Sequence, residues 1–180
     1  MAVVTETRRP VAARADLRAA MAVLRLAEWR EGVWLRPDNL DHDEPGSEPA
    51  QGVVAAQCRR FVGRPDPTEV PPVELAGHLW DLPGWASRAD DLRRRLAAVV
   101  GELEAGDTTA LAPGFVLSAE VLRHLLADPL LPAELLPPGW PGDGLRADYD
   151  GYDRAFKARW RDWFRQEVDP SAPGRSGEHG

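Results

Sequence analysis

A single cysteine, Cys58, stands in this chain of 180 residues, which excludes an internal disulfide framework and a zinc site built from four cysteines. Long apolar runs are missing too. None approaches the ~20 residues that span a bilayer, and the opening residues MAVVTETRR hold no signal-peptide core, which points to the cytoplasm and away from a membrane. Positive charge is scarce: 22 basic residues face 29 acidic ones, for a net charge of -7, and Lys157 is the only lysine. Residues 1–70 carry 10 basic and 11 acidic groups and residues 71–168 carry 11 and 16, so no region offers an evident phosphate-binding face of its own. The sequence has no G-x-S-x-G, no P-loop and no G-x-G-x-x-G. None of the five serines sits in a recognisable nucleophile context. Cys58 has no Cys-x-x-Cys partner and reads as a small buried side chain.

What the chain does have is 17 prolines and 7 tryptophans, many sharp boundaries and several large anchors. Ala2-Val3-Val4-Thr5 reads as a short strand. Pro10 suits the first turn of a helix, and Leu17, Met21 and Leu24 recur at spacings of four and three, one helical face. Arg14, Arg18 and Arg25 are expected in solvent. Ala27-Glu28-Trp29, the turn Arg30-Glu31-Gly32 and Val33-Trp34-Leu35-Arg36 predict a hairpin closed by a left-handed Gly32 with a bulge. Residues 38–52 read as an acidic solvated loop, followed by a short helix around Val53 to Ala56 and a strand from Cys58 to Val62. The order β-α-β-β-α-β is the split pattern of ferredoxin-like domains.

After Arg64-Pro65-Asp66-Pro67 and Pro71-Pro72 the chain turns helical. Trp85, Ala89, Leu92, Leu96, Val99 and Leu103 recur at 4-3-4-3-4, a strong seam that Gly106 stops. Phe115, Leu122, Leu125 and Leu126 mark another helix, ended by Asp128-Pro129. Leu145, Tyr149, Tyr152, Phe156, Trp160 and Trp163 give the last helix an aromatic face, read first as core. The fold class is therefore α+β, a ferredoxin-like domain followed by an all-helical domain. Its boundaries fall at 1–64, a linker at 65–72, the helical domain at 73–168 and a disordered tail at 169–180.

Residue clusters with chemical character have plainer explanations. Asp41-His42-Asp43-Glu44 holds metal-ligand residue types, but adjacent ligands on a loop do not easily converge on one tetrahedral ion, so a solvated acidic loop is expected. His78 and His124 lack the i+4 partner of an H-E-x-x-H face. The pairs Asp90/Asp91 and Asp148/Asp150 do not face one another on a helix. The run Arg93-Arg94-Arg95 fans over roughly 200° of helix, which favours local ion pairing over nucleic-acid contact. No catalytic, cofactor-binding or metal residue is expected.

Three stretches resemble one family. Arg30-Glu31-Gly32-Val33-Trp34-Leu35-Arg36-Pro37, Leu79-Trp80-Asp81-Leu82, and the segment from Asp128-Pro129 through Leu131-Pro132-Ala133-Glu134-Leu135-Leu136-Pro137 to Trp140-Pro141-Gly142 are similar to signatures of the PaaX-type transcriptional repressors of phenylacetic acid catabolism. The third is the most specific, and together they cover about residues 1 to 168. The resemblance implies a repressor with a winged helix-turn-helix, a central ferredoxin-like domain tied to dimerisation and a helical C-terminal domain, relieved by an aryl-acyl-coenzyme A effector. The winged helix is not found before the first strand. The expectation is therefore a regulator body without its own DNA-reading head, a homodimer or a mixed dimer with a full-length paralogue, touching DNA only through the missing domain. Two other readings are an acyl-coenzyme A or aromatic-ligand binding module, and a metal-dependent nuclease of the CRISPR-associated ferredoxin-like type. The nuclease reading is disfavoured because the first strand has no Asp. Near the signature segments, Trp80, Arg88, Trp140, Arg146 and Tyr149 combine aromatic faces with guanidinium groups and are the candidate effector or interface contacts, with packing as the plainer role of each.

Overall fold

The structure is a computed structural model that describes residues 1–5, 10–40, 46–66 and 68–168. The acidic cluster at 41–44 and the tail from 169 lie outside the described residues. The elements run β1 (Ala2–Val4), α1 (Val11–Val23), β2 (Ala27–Arg30), β3 (Val33–Leu35), α2 (Glu48–Gln57), β4 (Cys58–Arg60), α3 (Pro72–Leu79), α4 (Leu82–Glu104), α5 (Leu111–Leu126), a 3-10 turn (Ala133–Leu135) and α6 (Gly142–Val168). The chain is thus mixed α and β, with one four-stranded antiparallel sheet and six helices among the described residues. It divides into two compact units, Met1–Gly84 with Ala127–Trp140, and Trp85–Leu126 with the chain from Pro141.

In the first unit the strand order is β2-β3-β1-β4, with Ala2 opposite Trp34 on one side and Arg60 on the other. The hairpin forms as its residues dictate. Gly32 takes φ 77, a left-handed value that a Cβ disfavours, and the register slips between Glu28 and Arg30. Helices α1 and α2 close a core of Ala2, Leu17, Ala20, Met21, Ala50, Val54 and Cys58, against which Leu24, Leu26 and Trp34 also pack. Met21 is fully buried, and burying a side chain of that size stabilises by ~1.5–3 kcal/mol.

Two elements differ from the sequence expectation. Helix α2 starts at Glu48, inside the stretch read as loop, because Glu48 and Pro49 are first-turn residues whose signal the acids and glycines around them hid. Strand β4 ends at Arg60, although Phe61 still exchanges two hydrogen bonds with Met1 at 2.8 and 2.9 Å. Phe61 and Val62 then stand exposed.

The segment from Ala127 to Trp140, which joins α5 to α6, folds with the sheet. Its Leu131 shares a buried cluster with Ala76 and Leu82, and Trp80, Leu135, Leu136 and Trp140 pack around it. Asn39 Nδ2 donates to the Leu130 carbonyl at 2.8 Å, and the Arg25 guanidinium donates to the Asp128 carbonyl.

In the second unit α4, α5 and α6 pack together. The predicted α4 seam is buried at Trp85, Ala89, Leu92, Leu96 and Leu103. Gly114 of α5 is a point of close approach: a Cβ there would lie 3.2 Å from both the Tyr152 hydroxyl of α6 and Val99 of α4. Gly106 ends α4 with φ 95, and Arg159 of α6 donates Nε to the Leu103 carbonyl at 3.0 Å, satisfying one of the last carbonyls of that helix.

Candidate functional site

A cavity of about 810 Å³ opens in the first unit, within the ~300–1,000 Å³ usual for small-molecule sites. It is assembled from separate segments: the end of α1, strands β2 and β3, the chain after β4, α3 and Leu135 of the 3-10 turn. Leu24, Leu26, Leu35, Leu75 and Leu79 line it with the aromatic side chains of Trp29, Phe61 and Trp80.

Four arginines also line it, Arg25, Arg36, Arg60 and Arg64, against the acids Asp38, Asp66 and Glu69. Two of the guanidinium groups are part of the frame. Arg36 donates to the carbonyls of Leu24 at 3.0 Å, Leu40 at 3.0 Å and Pro37 at 3.2 Å. Arg25 occupies the position just past the end of α1 with φ 56, where glycine is usual, and reaches the Asp128 carbonyl. Sequence reading put Arg25 in solvent; the structure half-buries it, because the docked 127–140 segment offers an acceptor that no local pattern reveals. Asp66 is tied into its own turn, accepting from the Thr68 hydroxyl at 2.7 Å and backbone N–H at 2.9 Å, and those bonds hold its carboxyl below the usual range.

The five sequence candidates are divided between the two units. Trp80 and Trp140 share the small core around Ala76, Leu82 and Leu131, and Trp80 also lines the cavity. In the second unit Arg88 pairs with Glu120 at 2.6 Å and Asp91 at 3.5 Å. Arg146 lies 3.8 Å from Asp143 on its own helix. The Tyr149 ring is 6.0 Å from that of Tyr152, and burial raises its phenol pKa. The cavity was not foreseen in the sequence. Its lining comes from residues 1 to 135, and no spacing rule joins them.

The run Arg93-Arg94-Arg95 forms ion pairs, as expected. Arg93 Nε meets Asp148 at 2.6 Å, Arg94 meets Asp91 at 3.3 Å and Arg95 meets Glu120 at 2.6 Å. The Glu120 carboxyl is lowered by its bond to Arg95, with Arg88 adding to the effect. Cys58 is buried, as expected. Among the described residues no three His, Cys, Asp or Glu side chains gather in a metal-binding group, and no helix is long and apolar enough to cross a membrane.

Residues 80–166 match a family described as PaaX-like protein C-terminal domain, and this part of the chain is of the PaaX type. It is also similar to a solved structure, the uncharacterized protein Rv0674 from Mycobacterium tuberculosis, with 41% identity and a TM-score of 0.67 over 91% of this chain. This chain spans 62% of that protein's length. No curated protein matches.

Proposed function

We propose that these residues form the pairing and effector-sensing body of a PaaX-like transcriptional repressor, which acts without catalysis. The observation that carries this reading is the family match over residues 80–166. The sheet supports a ferredoxin-like assignment for the first sixty residues: its elements run β-α-β-β-α-β, and its strands, read from the β4 edge, run 4-1-3-2. In such a repressor a two-fold dimer sets the spacing of two winged helix-turn-helix heads on the operator. An effector relieves repression only by binding one arrangement better than the other. An aryl-acyl-coenzyme A thioester is the effector class expected of this family type.

The experiment is sedimentation equilibrium of the protein, joined to thermal unfolding with phenylacetyl-coenzyme A. Dimers are expected, with stabilisation of about 2.7 kcal/mol at a ligand concentration near 100 Kd. A monomer at all concentrations that no acyl-coenzyme A stabilises sinks the reading, as does metal-dependent cleavage of RNA or DNA. The cavity favours a second reading, a ligand-binding module with no role at DNA. Mixed dimers with a full-length paralogue, detected by co-purification, would speak for the regulator.

A further inference from the structure

We infer that the cavity of the first unit binds a small amphipathic anion, an apolar body with one terminal carboxylate, its head held at the mouth by Arg60 and Arg64. The inference goes beyond the effector-sensing reading, since its ligand keeps the free carboxylate that a thioester has lost. The binding itself stands on the cavity. Three observations carry it. First, the wall is largely apolar, and large hydrophobic side chains at the cavity remain in contact with water: Trp29 is 44% exposed, Phe61 51% and Val62 82%. Exposed aromatic and aliphatic groups gathered at one concavity mark a surface that gains by being covered.

Second, the four lining arginines are not equivalent. Arg25 and Arg36 spend their guanidinium groups on backbone carbonyls. Arg60 and Arg64 form no ion pair or side-chain hydrogen bond with any described residue, and both are exposed. Two guanidinium groups four residues apart, unpaired among the described residues, on a chain of net charge -7, are a local reversal of sign. They can take a carboxylate with charge-assisted hydrogen bonds, whose geometry suits the guanidinium fork. Third, Asp66 on the same wall turns one oxygen, Oδ1, to the Thr68 hydroxyl and backbone N–H, and the lining as a whole sets four arginines against the three acids Asp38, Asp66 and Glu69, an excess of positive charge. A cationic ligand therefore finds repulsion at the mouth, and a neutral one finds only the apolar wall.

The test compares three probes with the same eight-carbon chain, octanoate, octanol and octyltrimethylammonium, by calorimetric titration of the full chain. Octanoate is expected to bind at least tenfold tighter than octanol, with the ammonium weakest, and the advantage of octanoate should shrink as salt is raised. The exposed double variant Arg60→Ala/Arg64→Ala should bring octanoate down to the affinity of octanol and leave octanol unchanged. Arg60→Lys/Arg64→Lys should keep most of the preference. Circular dichroism of both variants verifies that they fold. No octanoate binding, equal affinities for the three probes, or an unchanged preference in the alanine variant overturns the inference. If octanoate fails while phenylacetyl-coenzyme A still stabilises a dimer, this site assignment alone falls. If octanoate binds but the protein neither dimerises nor responds to the thioester, the regulator reading falls and the site stands.

Discussion

Trp85 and His124 each hydrogen-bond the other's backbone carbonyl. The Trp85 indole N–H donates to the His124 carbonyl at 3.2 Å, His124 Nε2 donates to the Trp85 carbonyl at 3.0 Å, and the two rings stack with centroids 4.4 Å apart. The His124 carbonyl lies in the last turn of α5, where the helix offers it no partner of its own, so the indole caps that helix from α4. Because a carbonyl can only accept, the histidine must carry its proton on Nε2.

His124→Ala should therefore cost about 2 kcal/mol of unfolding free energy, a neutral hydrogen bond plus a stacked ring pair. Trp85→Phe keeps most of the packing, loses the indole donor and should cost about 1 kcal/mol. The double variant is expected to fall short of the sum by more than about 0.5 kcal/mol, as contacting residues do. Urea unfolding of the four proteins measures this, and strict additivity would mean that the two residues act separately.

Arg25 yields a prediction that runs against the usual ranking of small residues. Its φ of 56 costs a residue with a Cβ about 1–2 kcal/mol, while its guanidinium gains a charge-assisted bond to the Asp128 carbonyl. Alanine at this position loses the bond and keeps the strain. Glycine loses the bond and sheds the strain. Arg25→Gly should accordingly be about 1 kcal/mol more stable than Arg25→Ala, although glycine ordinarily costs more chain entropy. Thermal unfolding of the pair decides it, and an alanine variant equal to or above the glycine variant contradicts the left-handed assignment.

The same residue shows where sequence reading stops. Periodicity finds elements that bury one clear stripe: Leu17 with Met21, and the α4 seam from Trp85 to Leu103, stand in the structure where their spacing put them. It fails on α5, where apolar residues occupy more than one face. Phe115, Leu122 and Leu126 fit a helical stripe yet are 66%, 44% and 70% exposed, while Leu111, Gly114, Leu117 and Val121 are buried. The choice between faces is made by Gly114, whose missing side chain lets α5 approach Val99 and Tyr152, and a hydropathy pattern does not register a missing side chain as an anchor. On α6 the aromatic stripe is core at Tyr152 and half-exposed at Trp160. The cavity was less legible still. Its rim arginines are unremarkable in sequence, and their pairing state emerges only when the neighbours are in place.

Tyr149 and Tyr152, the only tyrosines, predict the alkaline limit of the fold. Burial pushes the Tyr152 phenol up to about 12 from 10.0, the Ser118 hydrogen bond pulls it partly back, and Tyr149 and Asp153 raise it further. The Tyr149 phenol is raised as well, again mainly by burial. A raised phenol pKa means that the fold favours the neutral form, so this contribution is whole below about pH 10, the unfolded value. Above it the unfolded chain releases its protons first, and stability is lost as the pH climbs through about 12. The urea midpoint of the native protein should fall across that window. Tyr152→Phe should fall less steeply there. An ultraviolet titration of the phenolate checks the assignment independently, since the variant should retain only the Tyr149 transition. A native midpoint that stays level from pH 10 to about 12, or identical slopes for the two proteins, would place the Tyr152 hydroxyl in water instead of beneath Gly114.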